Sequence, residues 1–431
     1  MSKNKLPEPL AISFPIWCLL DTPGDGAYHD LERVAREHAE RAFNCIRMDD
    51  GAGLIRFANG KADGKVLISE PVTGFSSSMR QTWCMGNGGI CDLVGRLLAL
   101  FEAAAHYKLY VILSSWYYLH TVWYCGDEDL NRRLLAIPPH ERFQYFAEQL
   151  NEIITLLRRH GLSDRIAFAE ILNEADGLPF VNGYDGVNGL SVEELHRFRD
   201  EHSAALAWLK KNNPDIRFAY DTYTPYTDPE LMPRGMDVWN FHSYFMWNIY
   251  SEIERKLISR KTDVNDPKEL GDLLSFFRKD PKSLEEIRAT RNGKAEPMSE
   301  GWVRRYWIYC NLDPAKTAEL DRRLTVRLER DQELYRQRVR EMLAQALKIR
   351  SEYCPDAELV MGEGVSFCGS NYLLWEERSE AYWDLLEYAY GEYRKAGLAG
   401  CVPRTCSGPE DPCWNLCADK LKHLNEMIRG I

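Results

Sequence analysis

Eight short apolar runs rich in β-branched residues punctuate this chain, and longer segments with helical spacing separate them. The runs are "AISFPIW", "FNCIRM", "LYVILSS", "IAFAEIL", "IRFAYDT", "DVWNFHSYF", "ELVMGEG" and "AGCVPRT". A strand that returns to its sheet through a helical crossover lies parallel to the strand before it, and eight such units close a barrel. The expected fold is therefore α/β, a (β/α)8 TIM barrel, with residues 1–431 forming one domain.

The intervening segments support this. Phe143, Phe146, Leu150, Ile153, Ile154 and Leu157 recur at three and four, as do Tyr382, Leu385, Leu386, Ala389 and Tyr393. Each stripe is the face of a helix that packs on a sheet. Two connections exceed simple turns: residues 49–89, rich in Gly and Ser, and residues 248–320, dense in charge. They follow strands 2 and 6, so as long βα-loop insertions they belong on the face of the barrel where loops shape pockets.

Composition narrows the partners. With 45% hydrophobic and 12% aromatic residues the chain can bury a large core, and a net charge of -11 argues against nucleic acid or an anionic membrane surface as partner. The twelve cysteines are scattered, many in apolar segments, which fits buried reduced thiols. Cys401, Cys406, Cys413 and Cys417 lack paired CxxC spacing, so no metal is expected there. The run "PLAISFPIWCLL" is interrupted by Glu8 and Pro15 and reads as the first strand, not a signal-peptide core; a cytoplasmic location is expected. No apolar run is long enough to span a membrane.

The tripeptide Leu-Asn-Glu occurs three times, ending at Glu152, Glu174 and Glu426. The first and third fall within helical stripes and read as helix-surface residues. Only Asn173-Glu174 ends a strand, the fourth, where barrel active sites are built. Glu363 ends the seventh strand, so the two carboxylates face one mouth across the barrel axis. Such a pair serves retaining glycoside hydrolysis, one group attacking the anomeric carbon and the other moving a proton. For either residue alone, the plainer reading is a strand-end carboxylate bonded to a neighbouring loop. Alternation puts Glu170 on the same inner face as Glu174, where an unpaired carboxylate is costly; a partner such as Arg47 is expected.

With these residues in place the sequence resembles the cellulase-like glycoside hydrolases of clan A, close to family five. Their fourth-strand pattern Phe-Glu-x-x-Asn-Glu-Pro is nearly matched by "FAEILNEA", in which Ala175 replaces the proline. Asn-x-x-Arg on the second strand is matched by "FNCIRM" through Arg47, His-x-Tyr on the sixth by His242 and Tyr244, and Gly-Glu on the seventh by Gly362 and Glu363. The resemblance implies that Glu363 is the nucleophile, with Arg47 and Tyr244 holding its charge, and that Glu174 is the acid/base. It further implies that Asn173 binds the sugar 2-hydroxyl and that His242 lies beside the reacting groups. Substrates would be β-linked oligosaccharides or glycosides, and neither cofactor nor metal would be needed.

Aromatic faces in the catalytic-face loops could stack on sugar rings: Trp116 and Trp247 first, with Trp83, Tyr117 and Trp123 behind them, and His120 also in reach. Two departures from the pattern stand out. The third strand ends in "SSWYYLH", and the eighth ends with Arg404 where a tryptophan is usual, Trp414 following ten residues later. Arg404 either binds an acidic substituent on the sugar or makes a structural salt bridge. Alternative activities are a carbohydrate-binding barrel without catalysis and a transglycosylase using the same residues. A metal-dependent isomerase or an aldolase would need His and carboxylate clusters or a strand lysine that the sequence lacks.

Overall fold

The computed structural model describes residues 6–15, 18–19, 26–48, 55–56, 60, 65–68, 89–115, 132–134, 136–176, 190–252, 271–289, 300–365, 370, 372–405 and 407–431. Eight parallel strands close a barrel: β1 (Leu10–Ser13), β2 (Cys45–Met48), β3 (Tyr110–Leu113), β4 (Ile166–Glu170), β5 (Phe218–Thr222), β6 (Val238–Ser243), β7 (Glu358–Gly364) and β8 (Gly400–Cys401). Each pairs with its neighbours in chain order, and β8 closes on β1 through Leu10↔Gly400 and Ala11↔Cys401. All eight strands coincide with the apolar runs of the sequence.

Helices wrap the outside: α1 (Leu31–Glu40), α2 (Leu93–His106), α3 (Arg142–Arg159), α4 (Val192–Asn212), α5 (Glu300–Asn311), α6 (Thr317–Tyr353), α7 (Glu380–Lys395) and α8 (Ala418–Arg429). Local chemistry starts several of them. Asp30 and Asp92 accept the backbone N–H of Arg33 and Gly95, and Ser191 with Glu194 forms a capping box on α4. The α3 and α7 stripes are buried as their periodicity predicts.

The crossover from β5 to β6 has only a 3-10 turn, Pro229–Leu231. Pro225, Pro229 and Pro233 within it remove helix-forming N–H donors, so no helix can propagate there. The segment after β6 contributes helical turns at Leu284–Ala289 and the helix α5 before α6 begins. After β2, Lys65–Ile68 and Gly89–Asp92 form a two-stranded antiparallel ribbon.

Two expectations change in detail. Asn425 is fully buried and donates to the carbonyl of Arg41, so it ties α8 to the turn after α1 and is not a surface residue. Asn173 and Glu174 lie beyond the last paired residue of β4, in a turn where Glu174 adopts φ 49. The eight cysteines among the described residues are free and buried, in accord with the reduced state expected. Among the described residues no helix is long and apolar enough to cross a membrane.

Candidate active site

Alternation along the strands decides what enters the barrel. Asn240 and His242 share one face of β6, whereas Trp239 and Ser243 turn toward Thr222 and Tyr393 outside it. The same rule sends Asp221 inward from β5 and Tyr220 outward onto His202 of α4. Gly362 makes room for the inner layer: a Cβ there would lie 2.1 Å from the Asn240 Oδ1. A register irregularity between Phe241 and His242 then sets His242 opposite Glu363.

Arg47 occupies the centre, fully buried. One terminal nitrogen lies 3.3 Å from Glu363 Oε1 and donates to the Gly362 carbonyl at 3.1 Å. The other donates to Asn173 Oδ1 at 2.6 Å and lies 3.1 Å from Glu170 Oε1 and 3.3 Å from Asp221 Oδ2. Its guanidinium also covers the Phe14 ring at 4.7 Å. One fork thus spans both candidate motifs, which lysine's single point charge cannot do.

Glu363 is bonded a second time by Tyr244, whose hydroxyl donates to Oε2 at 2.6 Å. Burial raises the Tyr244 phenol well above its ordinary pKa and the carboxylates of Glu363 and Glu174 add to this, so the hydroxyl stays protonated as a donor. Glu174 meets His242 Nδ1 at 2.9 Å, and His242 Nε2 faces Asp221 Oδ2 at 3.2 Å and Glu363 Oε1 at 3.5 Å. Burial pulls the His242 pKa down, but Asp221 and Glu363 more than offset it and hold the group well above its usual value. Protonated, the ring could donate from both nitrogens.

Glu170 pairs with Arg47 as alternation predicts. Burial pushes its pKa up to about 7 against the pull of Arg47, with the Asp221 charge adding to the rise. An oxygen of Glu174, a nitrogen of His242 and an oxygen of Glu363 all lie within 4.8 Å of one another. Such a trio has the composition of a cation site, but Arg47 already places a positive charge among these carboxylates.

Trp247 is 44% exposed beyond β6, its ring 5.9 Å from that of Tyr244 and steeply inclined to it. Trp116 and His120, with Trp83, Tyr117 and Trp123, lie outside the described residues. Arg404 requires a correction. It is buried, and its guanidinium contacts Glu376 at 2.5 Å, Glu377 at 3.0 Å and Asp411 at 2.6 Å. Three carboxylates of the protein itself satisfy it, so a substrate-binding role does not fit. Trp414 does not replace the missing tryptophan. It is buried against Phe43 and Arg41 and donates to Glu37 of α1.

The sequence motifs pass over Asp221 and Asn240. Asn240 donates to Asp221 Oδ2 at 2.7 Å and to Glu170 Oε2 at 3.1 Å. Asp221 also accepts the backbone N–H of Glu174 at 2.8 Å. The available signal was an acidic residue near the end of an otherwise apolar strand, "FAYDT".

Solved structures of known proteins resemble this architecture. The chain is similar to a candidate glycoside hydrolase from Parabacteroides distasonis, with 19% identity and a TM-score of 0.61 over 98% of this chain and 94% of that one. The shared fold is the (β/α)8 barrel. A glycoside hydrolase family 5 enzyme from Prevotella bryantii, solved with a xyloglucan tetradecasaccharide, shows 12% identity and a TM-score of 0.45 over 99% of this chain and 98% of that one. Cel5A from Thermotoga maritima, solved with mannotriose, shows 13% identity and a TM-score of 0.42 over 94% and 92%. No protein-family model and no curated protein matches the chain.

Proposed function

We propose that this protein is a retaining glycoside hydrolase that cleaves β-linked oligosaccharides or glycosides by double displacement. The observation that carries the reading is the approach of Glu174 and Glu363 oxygens to within 4.8 Å at the barrel mouth. Retaining enzymes hold their carboxyl groups about 5–5.5 Å apart, whereas inverting ones leave about 6.5–9.5 Å for a water beside the sugar.

The neighbours divide the roles. Glu363, with Arg47 beside one oxygen and the Tyr244 hydroxyl on the other, has the donors that keep a carboxylate ionised and aimed. It attacks the anomeric carbon while Glu174, the more exposed of the two, gives its proton to the leaving oxygen. The glycosyl ester then neutralises Glu363, and Glu174 takes a proton from the water that hydrolyses it. Asn173, its Oδ1 held by Arg47, has its amide nitrogen left for the sugar 2-hydroxyl. Trp247 offers an exposed aromatic face for a sugar ring.

The test is a panel of aryl α- and β-glycosides, uronides included, given to the wild type and to Glu363→Gln, with product anomers followed by NMR. Release from a β-glycoside with the β-anomer formed first, lost in the variant, is the expected result. An α-anomer formed first, or turnover that survives in Glu363→Gln, overturns the assignment. Tight sugar binding without turnover replaces it with a binding protein.

A further inference from the structure

Asp221 lies where no motif of the sequence points, yet four groups of the site converge on it. It is fully buried at the end of β5. Its Oδ1 accepts the backbone N–H of Glu174 at 2.8 Å, and its Oδ2 accepts from Asn240 at 2.7 Å and faces His242 Nε2 at 3.2 Å and Arg47 at 3.3 Å. We propose that Asp221 is a positioning residue that fixes the turn carrying Glu174 and keeps His242 doubly protonated as the donor to the Glu174 carboxylate. The inference rests on the acid/base role proposed for Glu174.

Two geometric facts require such a group. Glu174 has φ 49, a left-handed conformation that a residue with a Cβ adopts only when its surroundings hold it there. The bond from Asp221 to its N–H is a hold of this kind, applied to the backbone and leaving the Glu174 side chain free to react. His242 has a carboxylate opposite each ring nitrogen, Glu174 at Nδ1 and Asp221 at Nε2. When both carboxyl groups are ionised, a neutral imidazole, which carries one N–H, presents a lone pair to one of them, with Arg47 also 3.5 Å from Nε2; the imidazolium donates to both.

The groups around the ring sum to the same answer. From β2 comes Arg47, from β4 Glu170 and beyond it Glu174, from β5 Asp221, from β7 Glu363, and beyond β6 the neutral Tyr244 with its ring 6.2 Å away. Four carboxyl groups face one guanidinium, and a protonated His242 supplies the second positive charge. Its function follows from the bond at Nδ1. When Glu174 passes its proton to the glycosidic oxygen, the bond from that oxygen to the anomeric carbon breaks and Glu174 becomes a carboxylate; His242 keeps both protons and stabilises that charge. The same bond is present when Glu174 acts as base in the second step.

The experiment is NMR of the full chain carrying 15N-labelled imidazoles, with the His242 signal assigned by its loss in His242→Gln, alongside kinetics of Asp221→Asn. Asparagine retains an oxygen for the Glu174 N–H but removes the charge opposite Nε2. The wild-type ring is expected to remain doubly protonated well above the ordinary value near 6.5. In Asp221→Asn its titration is expected to move down, and kcat to fall roughly 10²-fold with KM nearly unchanged. A neutral His242 in the wild type at about pH 7 overturns the proposal whether or not the variant folds. An unchanged titration in Asp221→Asn does so too. The ring signal needs no substrate, so a failure of the glycosidase reading on the panel remains distinct from a failure here.

Discussion

Replacing Arg404 with methionine separates the two readings of that residue, because the structure assigns it a cost in stability and none in chemistry. The guanidinium lies among Glu376, Glu377 and Asp411, all four side chains at most 3% exposed. Burial lowers the tendency of Arg404 to stay protonated, and these carboxylates reverse that and raise its pKa well above the usual value. Methionine fills much of the volume but leaves three buried carboxylates without their cation. Removing one partner of a buried ion pair costs about 3–5 kcal/mol. Unfolding entropy near 2.1 cal/mol/K per residue amounts to about 0.9 kcal/mol/K for a chain this long, so the Tm should fall by roughly 3–6 °C. Calorimetry at neutral pH reads the shift, and turnover of the responsive glycoside well below the Tm should stay within about twofold of wild type. Converting Glu376 and Glu377 to glutamine in the same chain should recover part of the loss, since the stranded charge is what destabilises. An unchanged Tm together with selective loss of turnover on uronides would refute the structural reading and return Arg404 to the substrate.

Two further expectations concern other residues. Trp247→Ala should raise KM about 3- to 10-fold with kcat nearly constant, the signature of lost stacking, and leave the Tm unchanged because the side chain is already half exposed; a fall in kcat alone would contradict the platform role. Asp176 is buried beyond β4, and burial pushes its pKa up to about 7 from 3.8, although the Tyr223 N–H and the Thr227 hydroxyl pull it down. A carboxyl with a raised folded-state pKa stays protonated in the native protein while the unfolded chain ionises, so stability falls as pH rises through that window and levels off above it. Asp176→Asn keeps the acceptor for Tyr223, so its advantage over wild type should be near zero at about pH 4 and on the order of 4 kcal/mol above about pH 7. Paired melts at the two ends test this, and a gap that does not change with pH would count against a buried, neutral Asp176.

Much of the fold is legible in the chain because its causes are local. Strand alternation and helical stripes are set within one element, so "ELVMGEG" could be read as Glu358–Gly364 and the face of α3 located before any contact was known. The inward turn of Glu170 and the need to pair it follow from the same alternation. The β5–β6 crossover was legible in part: three prolines in "TPYTDPELMP" forbid a helix there.

What the sequence by itself determined is on which side of each strand a residue points, because that depends on period alone. Only the tertiary structure decided which of them meet. Arg47 reaches Glu170, Asn173, Asp221 and Glu363 on three other strands or their ends, a convergence set by barrel closure and not by any local spacing. Asp221 becomes the hub of the site because the turn after β4 brings the Glu174 N–H to it, and no pattern within "FAYDT" encodes that distance. Arg404 went the other way. At the end of β8 it reads as a candidate for ligand binding, and Asp411, Glu376 and Glu377, brought in from flanking loops and helices, turn it into a buried structural ion pair. A charged side chain belongs to a site or to the scaffold according to the charges that reach it first, and those come from parts of the chain that only folding brings together.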